Sequence, residues 1–115
     1  MINPNNLRPL SEYQPLENQF KRSGFSFQLV EKNGFKTFGS LFGEWRIYKR
    51  WKDDISKAHF EVVFITLQDE EEVALKSGGT IKYEAKEIYP SHELWGFRGF
   101  TYTSLNLARK KISTL

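Results

Sequence analysis

Alternation of apolar and polar positions is strongest over residues 44–67, and the rest of the chain is arranged around that stretch. Residues 44–52 interleave Trp45, Ile47, Tyr48 and Trp51 with Arg46, Lys49, Arg50 and Lys52. Residues 59–67 are nearly all β-branched or aromatic. Phe60, Val62 and Phe64 fall on one face, and Val63, Ile65 and Leu67 on the other. A strand apolar on both faces belongs in the middle of a sheet, covered on both sides. The two segments are predicted to pair as a hairpin across a polar turn at 52–57, which carries Asp53, Asp54 and Ser56.

The flanking chain predicts smaller elements. Phe25, Phe27 and Leu29 alternate with Ser26 and Gln28, the period of a strand. Asn33-Gly34 predicts a tight turn returning through a short strand at 35–38, because both central residues of such a turn need positive φ. Gly39 and Gly43 predict a bulge or bend. Residues 69–75, DEEEVAL, predict a helical turn whose acids sit at its N-terminus, and 80–87 a single strand with one wet side. Residues 89–99 form a loop broken by Pro90, Gly96 and Gly99. A helix follows, with Thr103 as its expected N-cap and Leu105, Ala108 and Ile112 as its buried stripe. Pro4, Pro9 and Pro15 interrupt any regular structure near the start. The expected architecture is α+β: a four- to five-stranded, mostly antiparallel meander with one C-terminal helix packed on one face. Residues 1–20 are read as an irregular N-terminal arm, docked through a few apolar anchors or swapped onto a partner. Residues 21–115 are read as a single α+β domain.

Composition narrows the classes of function. A chain of 115 residues is long enough for one domain with a real core. Cysteine is absent, which removes disulfides, thiolate metal sites and cysteine nucleophiles. The first residues show no signal-peptide pattern, and no apolar run reaches the ~20 residues of a membrane helix. A cytoplasmic protein with no membrane contact is the expectation. Seventeen basic residues against fourteen acidic ones are too balanced to imply a polyanionic partner. The charges cluster, however. Residues 44–52 are basic and 69–72 are acidic, which predicts a dipolar molecule. Ten Phe, five Tyr and three Trp exceed what so small a core needs, so some are expected at the surface.

Catalytic constellations are not evident. His59 and His92 stand apart with no metal-ligand spacing. Ser91-His92-Glu93 holds the residue types of a triad, but neighbours in sequence cannot gather their side chains as one. The acidic run lacks the alternating oxygens and glycine of a calcium loop, and Ser77-Gly78-Gly79-Thr80 lacks the spacing of a phosphate loop. No enzyme activity, cofactor or metal is expected.

Two surfaces are candidates for binding. The first is the strand carrying Arg46, Tyr48, Lys49, Arg50 and Lys52. Arg46, Tyr48 and Arg50 share one face, where guanidinium groups would meet phosphates and the phenol would stack on a base of a nucleic acid or nucleoprotein. Lys21, Arg22, Arg109, Lys110 and Lys111 would extend the patch if they fold to the same side. The competing reading pairs Arg46 and Arg50 with Glu31, Glu61 or Glu84 on neighbouring strands. The second surface is the loop bearing Trp95, Phe97, Arg98 and Phe100, which offers aromatics and an arginine to a host protein. Its structural alternative has Trp95 and Phe100 capping the edge of the core. A monomer and a homodimer formed by sheet extension both fit.

The order of motifs resembles a family of small uncharacterised proteins of bacteriophages and mobile elements. The resemblance rests on FQLVEKNG at 27–34, IYK at 47–49, FEVVFI at 60–65, EIYPSHELWGFRGFTY at 87–102 and LNLARKK at 105–111. It covers roughly residues 25–112 and leaves out the arm. It implies an accessory protein, one acting on a host or defence component, and carries no catalytic residues with it.

Overall fold

The computed structural model describes residues 8–53 and 57–115. The turn residues Asp54 and Ser56, and the arm before Arg8, lie outside the described residues. Strands β1 (Gln19–Arg22), β2 (Phe25–Phe38), β3 (Leu41–Trp51) and β4 (His59–Gln68) form an antiparallel meander. β4 then pairs along its far edge with β7 (Lys86–Ile88) and β8 (Gly99–Tyr102), which completes a six-stranded sheet. β5 (Glu71–Ala74) and β6 (Thr80–Tyr83) make a separate two-stranded ribbon. Helix α1 (Leu105–Ser113) packs on one face of the sheet. The fold is thus a mostly antiparallel sheet with one C-terminal helix, as the pattern predicts. It has more strands than expected because β1 and β8 also join the sheet.

β3 and β4 are the centre of the molecule. Their pairing runs from Gly43↔Thr66 to Arg50↔His59, the hairpin expected from the alternation. Both faces are covered. Under the helix, Trp45, Ile47, Val62 and Phe64 pack with Ala108. On the opposite face Tyr48, Val63 and Ile65 pack with Phe27, and Leu16, Phe20, Tyr89 and Trp95 close over them. Covering both faces is what allows nearly every side chain of β4 to be apolar.

Several local expectations fall to tertiary pairing. Asn33-Gly34 is not a hairpin turn. β2 runs straight through it with register shifts, Gly34 has φ +85°, and the Asn33 amide donates to the Trp45 carbonyl at 3.0 Å. The chain reverses instead at Ser23-Gly24, where both residues have positive φ (53° and 80°), and at Gly39-Ser40. DEEEVAL is not helical, since Glu71–Ala74 pairs with Thr80–Tyr83. The strand expected over 80–87 is divided at Glu84-Ala85 between the ribbon and the main sheet. The helix is capped by Ser104, not Thr103. Ser104 Oγ accepts from the Leu107 amide at 3.2 Å, because Ser104 holds the extended backbone that a cap requires. The arm docks through Tyr13, whose hydroxyl donates to Asp69 at 2.9 Å, and through Gln14, which bridges to Lys86.

Candidate functional site

The inner face of β3 and β4 places three charged side chains in a row: Glu44 and Arg46, then Arg50 further along. Arg46 is fully buried. Its Nε meets Glu44 Oε1 at 2.5 Å, and its two terminal nitrogens reach Glu87 at 2.9 and 2.7 Å. Tyr48 is buried beside it. Burial disfavours the Arg46 cation, but the bonds to Glu87, Tyr48 and Glu44 outweigh that and raise its pKa. Burial also disfavours ionised Glu87, yet Arg46 and the Leu16 amide hold its carboxyl below the ordinary carboxylate value. Burial raises the Tyr48 phenol. Glu44 accepts from the Gly34 amide at 2.7 Å, and Glu87 from the Leu16 amide at 2.8 Å. One guanidinium therefore ties together β2, β3, β7 and the arm.

This corrects the nucleic-acid face expected from the sequence. Arg46 and Tyr48 cannot touch a ligand, because neither has exposed surface: Glu44 and Glu87 enclose the guanidinium, and the rings of Phe20 and Tyr89 meet Tyr48. The partners of Arg46 are Glu44 and Glu87, not Glu31, Glu61 or Glu84. Lys49 is exposed, but it lies on the helix side of the sheet, with Nζ 5.7 Å from the Trp51 ring. Only Arg50 and Lys52 reach a common place.

That place is a cleft of about 90 Å³ beyond the end of β7. The β1–β2 turn brings Arg22 and Phe25 to it, β3 brings Arg50, β4 brings Glu61, and the segment after β7 brings Tyr89 and Trp95. Three cations lie over its rings. Arg22 is 5.5 Å from the centroid of Tyr89, Arg50 is 4.6 Å from Phe25, and Lys52 is 4.4 Å from Phe25. Such contacts hold a cation over an aromatic face while leaving its outer N–H groups to other partners. The ring cluster continues behind them. Tyr89 stacks on Trp95 at 6.4 Å and meets Tyr48 edge-on at 5.5 Å.

Glu61, 3 % exposed, is the single acid of the cleft. Tyr89 Oη donates to it at 2.5 Å, and Arg50 pairs with it at 3.0 Å. Burial, then the neighbouring Glu61 carboxylate, raises the Tyr89 phenol and keeps it a donor. The Arg50–Glu61 pair was among those the alternation of charges allowed. Arg50 is nonetheless less enclosed than Arg46, with 22 % of its side chain exposed against none.

The aromatic loop divides between the two faces. Phe100 packs with the helix-side core and Trp95 with the cleft side. Trp95 Nε1 donates to Thr101 at 2.9 Å, and its ring lies so close to Gly99 that a Cβ there would come within 2.6 Å. Phe97 stays 59 % exposed, and the Arg98 guanidinium lies 5.9 Å from its ring. Trp95 and Arg50, which belonged to separate candidate surfaces, thus line one cleft. Arg109 pairs with Glu31 at 3.4 Å and is not at the cleft. Tyr89 and Phe25 were not singled out from sequence. Glu61 carried a signal in being the lone acid of an apolar strand.

Among the described residues, no helix is long and apolar enough to cross a membrane, and no three His, Asp or Glu side chains are grouped to hold a metal ion. Comparison with protein-family models, curated proteins and solved structures returned no match.

Proposed function

We propose that this protein is a non-catalytic binding module for single-stranded nucleic acid, with the Arg22–Arg50–Lys52 cleft as its contact site. The observation that carries the reading is that Arg22 and Arg50 line one opening and that they and Lys52 each lie over one of its rings, Tyr89 or Phe25. Cations that track a phosphate backbone beside rings that stack bases are the shared equipment of single-strand binders. A duplex keeps its bases stacked on one another, so it would engage the cations but not the rings. A role as a phage-type accessory protein fits such a module.

Fluorescence anisotropy with labelled single- and double-stranded oligonucleotides at two salt concentrations tests this. Single strands should bind more tightly. The logarithm of affinity should fall with that of salt at a slope of roughly −1.4 if Arg22 and Lys52 each release counterions, Arg50 being paired with Glu61. Arg22→Ala and Lys52→Ala should each flatten that slope by about 0.7. No binding of any oligonucleotide at low salt would overturn the reading. A second reading, binding to a host protein through the loop, is favoured by the exposed Phe97 beside Arg98. A partner retained after nuclease treatment and lost on Phe97→Ser would support it.

A further inference from the structure

We propose that the cleft receives one unstacked base of the bound strand and that the base it fits is guanine. This rests on the single-strand reading above and names the group recognised. Size sets the first limit. At about 90 Å³ the cleft is far smaller than the ~300–1,000 Å³ of pockets that enclose whole ligands, so it takes one small group. Charge sets the second. The Glu61 carboxylate repels phosphate from the interior, and Arg22 and Lys52 hold phosphates at the opening. An uncharged ring is then what enters between Phe25, Tyr89 and Trp95.

Hydrogen bonding selects among rings. A carboxylate only accepts, and its two oxygens offer about four lone-pair sites. Tyr89 and Arg50 take up two of them in Glu61. The remaining sites call for donors. Guanine alone among the bases carries two adjacent donors, N1–H and the 2-amino group, on one edge. Adenine and cytosine each set one amino group beside an acceptor nitrogen. Thymine and uracil set one N–H between two carbonyls. The same edge of guanine ends in the O6 acceptor, and the Arg50 side chain, partly open to solvent, lines the cleft beside Glu61. Two donors and one acceptor on guanine thus meet an acceptor and a donor group in the cleft.

The test uses the full chain and labelled thymidine oligonucleotides carrying one central dG, dA, dC or deoxyinosine, titrated by anisotropy at low salt. The dG strand should bind about fivefold or more tightly than the dA or dC strands, the scale of one good paired contact. Deoxyinosine, which lacks the 2-amino group, should lose most of that gain. Glu61→Gln should lose the dG preference, so that its dG, dA and dC strands bind alike. Should that variant fail to fold, the base series on the native chain still decides. Equal affinity across the series would overturn the guanine assignment while leaving single-strand binding in place. Deoxyinosine matching dG would overturn the carboxylate contact. Failure of every strand to bind would overturn both readings.

Discussion

Arg46 and Arg50 leave the same face of β3 on either side of Tyr48, and they have opposite fates. Arg46 is sealed between Glu44 and Glu87 with no exposed side-chain surface. Arg50 rests on Phe25 and Glu61 at the rim of a cleft, partly open to solvent. Nothing in their immediate sequence separates them. What separates them is cover. The Glu87 carboxylate reaches Arg46 from β7 and is itself held by the Leu16 amide of the arm, so that arginine becomes structure. Arg50, opposite His59 at the far end of the hairpin, pairs with Glu61 and keeps part of its side chain in solvent. A basic strand is therefore not a binding surface until the neighbouring elements are known.

The largest effect should come from breaking the sealed end of this pair. Arg46→Ala leaves Glu44 and Glu87 buried without their cation, which costs about 3–5 kcal/mol. Arg50→Ala should cost less, about 1–3 kcal/mol, because Glu61 keeps the Tyr89 hydroxyl. Urea unfolding of both variants checks the order, and equal losses would erase the distinction. A lysine at position 46 should not restore stability, since it cannot form the forked contact with Glu87.

Two glycines sharpen the comparison at a smaller scale. A Cβ at Gly43 would come within 2.3 Å of the Ile65 carbonyl, a backbone atom that cannot turn aside. Gly43→Ala should lower stability by about 1–3 kcal/mol. A Cβ at Gly99 would press instead on the Trp95 ring, which borders the cleft. Gly99→Ala should weaken oligonucleotide binding more than Gly43→Ala does, and parallel thermal melts and titrations would show the split.

The most gradual effect is that of pH. The Glu87 carboxyl is lowered from 4.5 on folding by Arg46, which outweighs its burial. Its contribution is fully present above the unfolded value and is lost as pH falls through the folded one. Acid should therefore destabilise the native chain over that window. The Glu87→Gln variant, less stable at neutral pH, should lose the corresponding part of the acid dependence. Denaturant midpoints measured across the acid range test this.

The central hairpin was legible because a period of two over many residues allows few alternatives, and because a strand apolar on both faces has one place in a sheet. The C-terminal helix was legible from its stripe, with the cap misplaced by one hydroxyl, Thr103 for Ser104. Turn chemistry was less informative. Asn33-Gly34 has the stronger hairpin signal, but the Trp45 carbonyl and the Glu44 carboxylate satisfy it within a continuous strand, and the weaker Ser23-Gly24 makes the turn. The acidic start of β5 suited a helix N-terminus until pairing with β6 overrode it. At the site, Arg50, Lys52 and Trp95 were named beforehand but in different groups. The Glu44–Arg46 contact spans two positions on one strand face and was available to inspection. Glu87 lies 41 residues from Arg46, and no local pattern links them.

The sheet-and-helix class, the strands at its centre and the stock of cations and rings are all legible in the amino-acid pattern. Those follow from periodicity and composition, which act over neighbouring residues. Which arginine is buried and which lines a cleft is set by packing instead. That depends on which distant carboxylate, Glu87 or Glu61, reaches each guanidinium and on how a turn near the start of the chain meets a loop near its end. Such meetings are set by the packing of distant segments, and the local alternation that announces each segment carries no record of them.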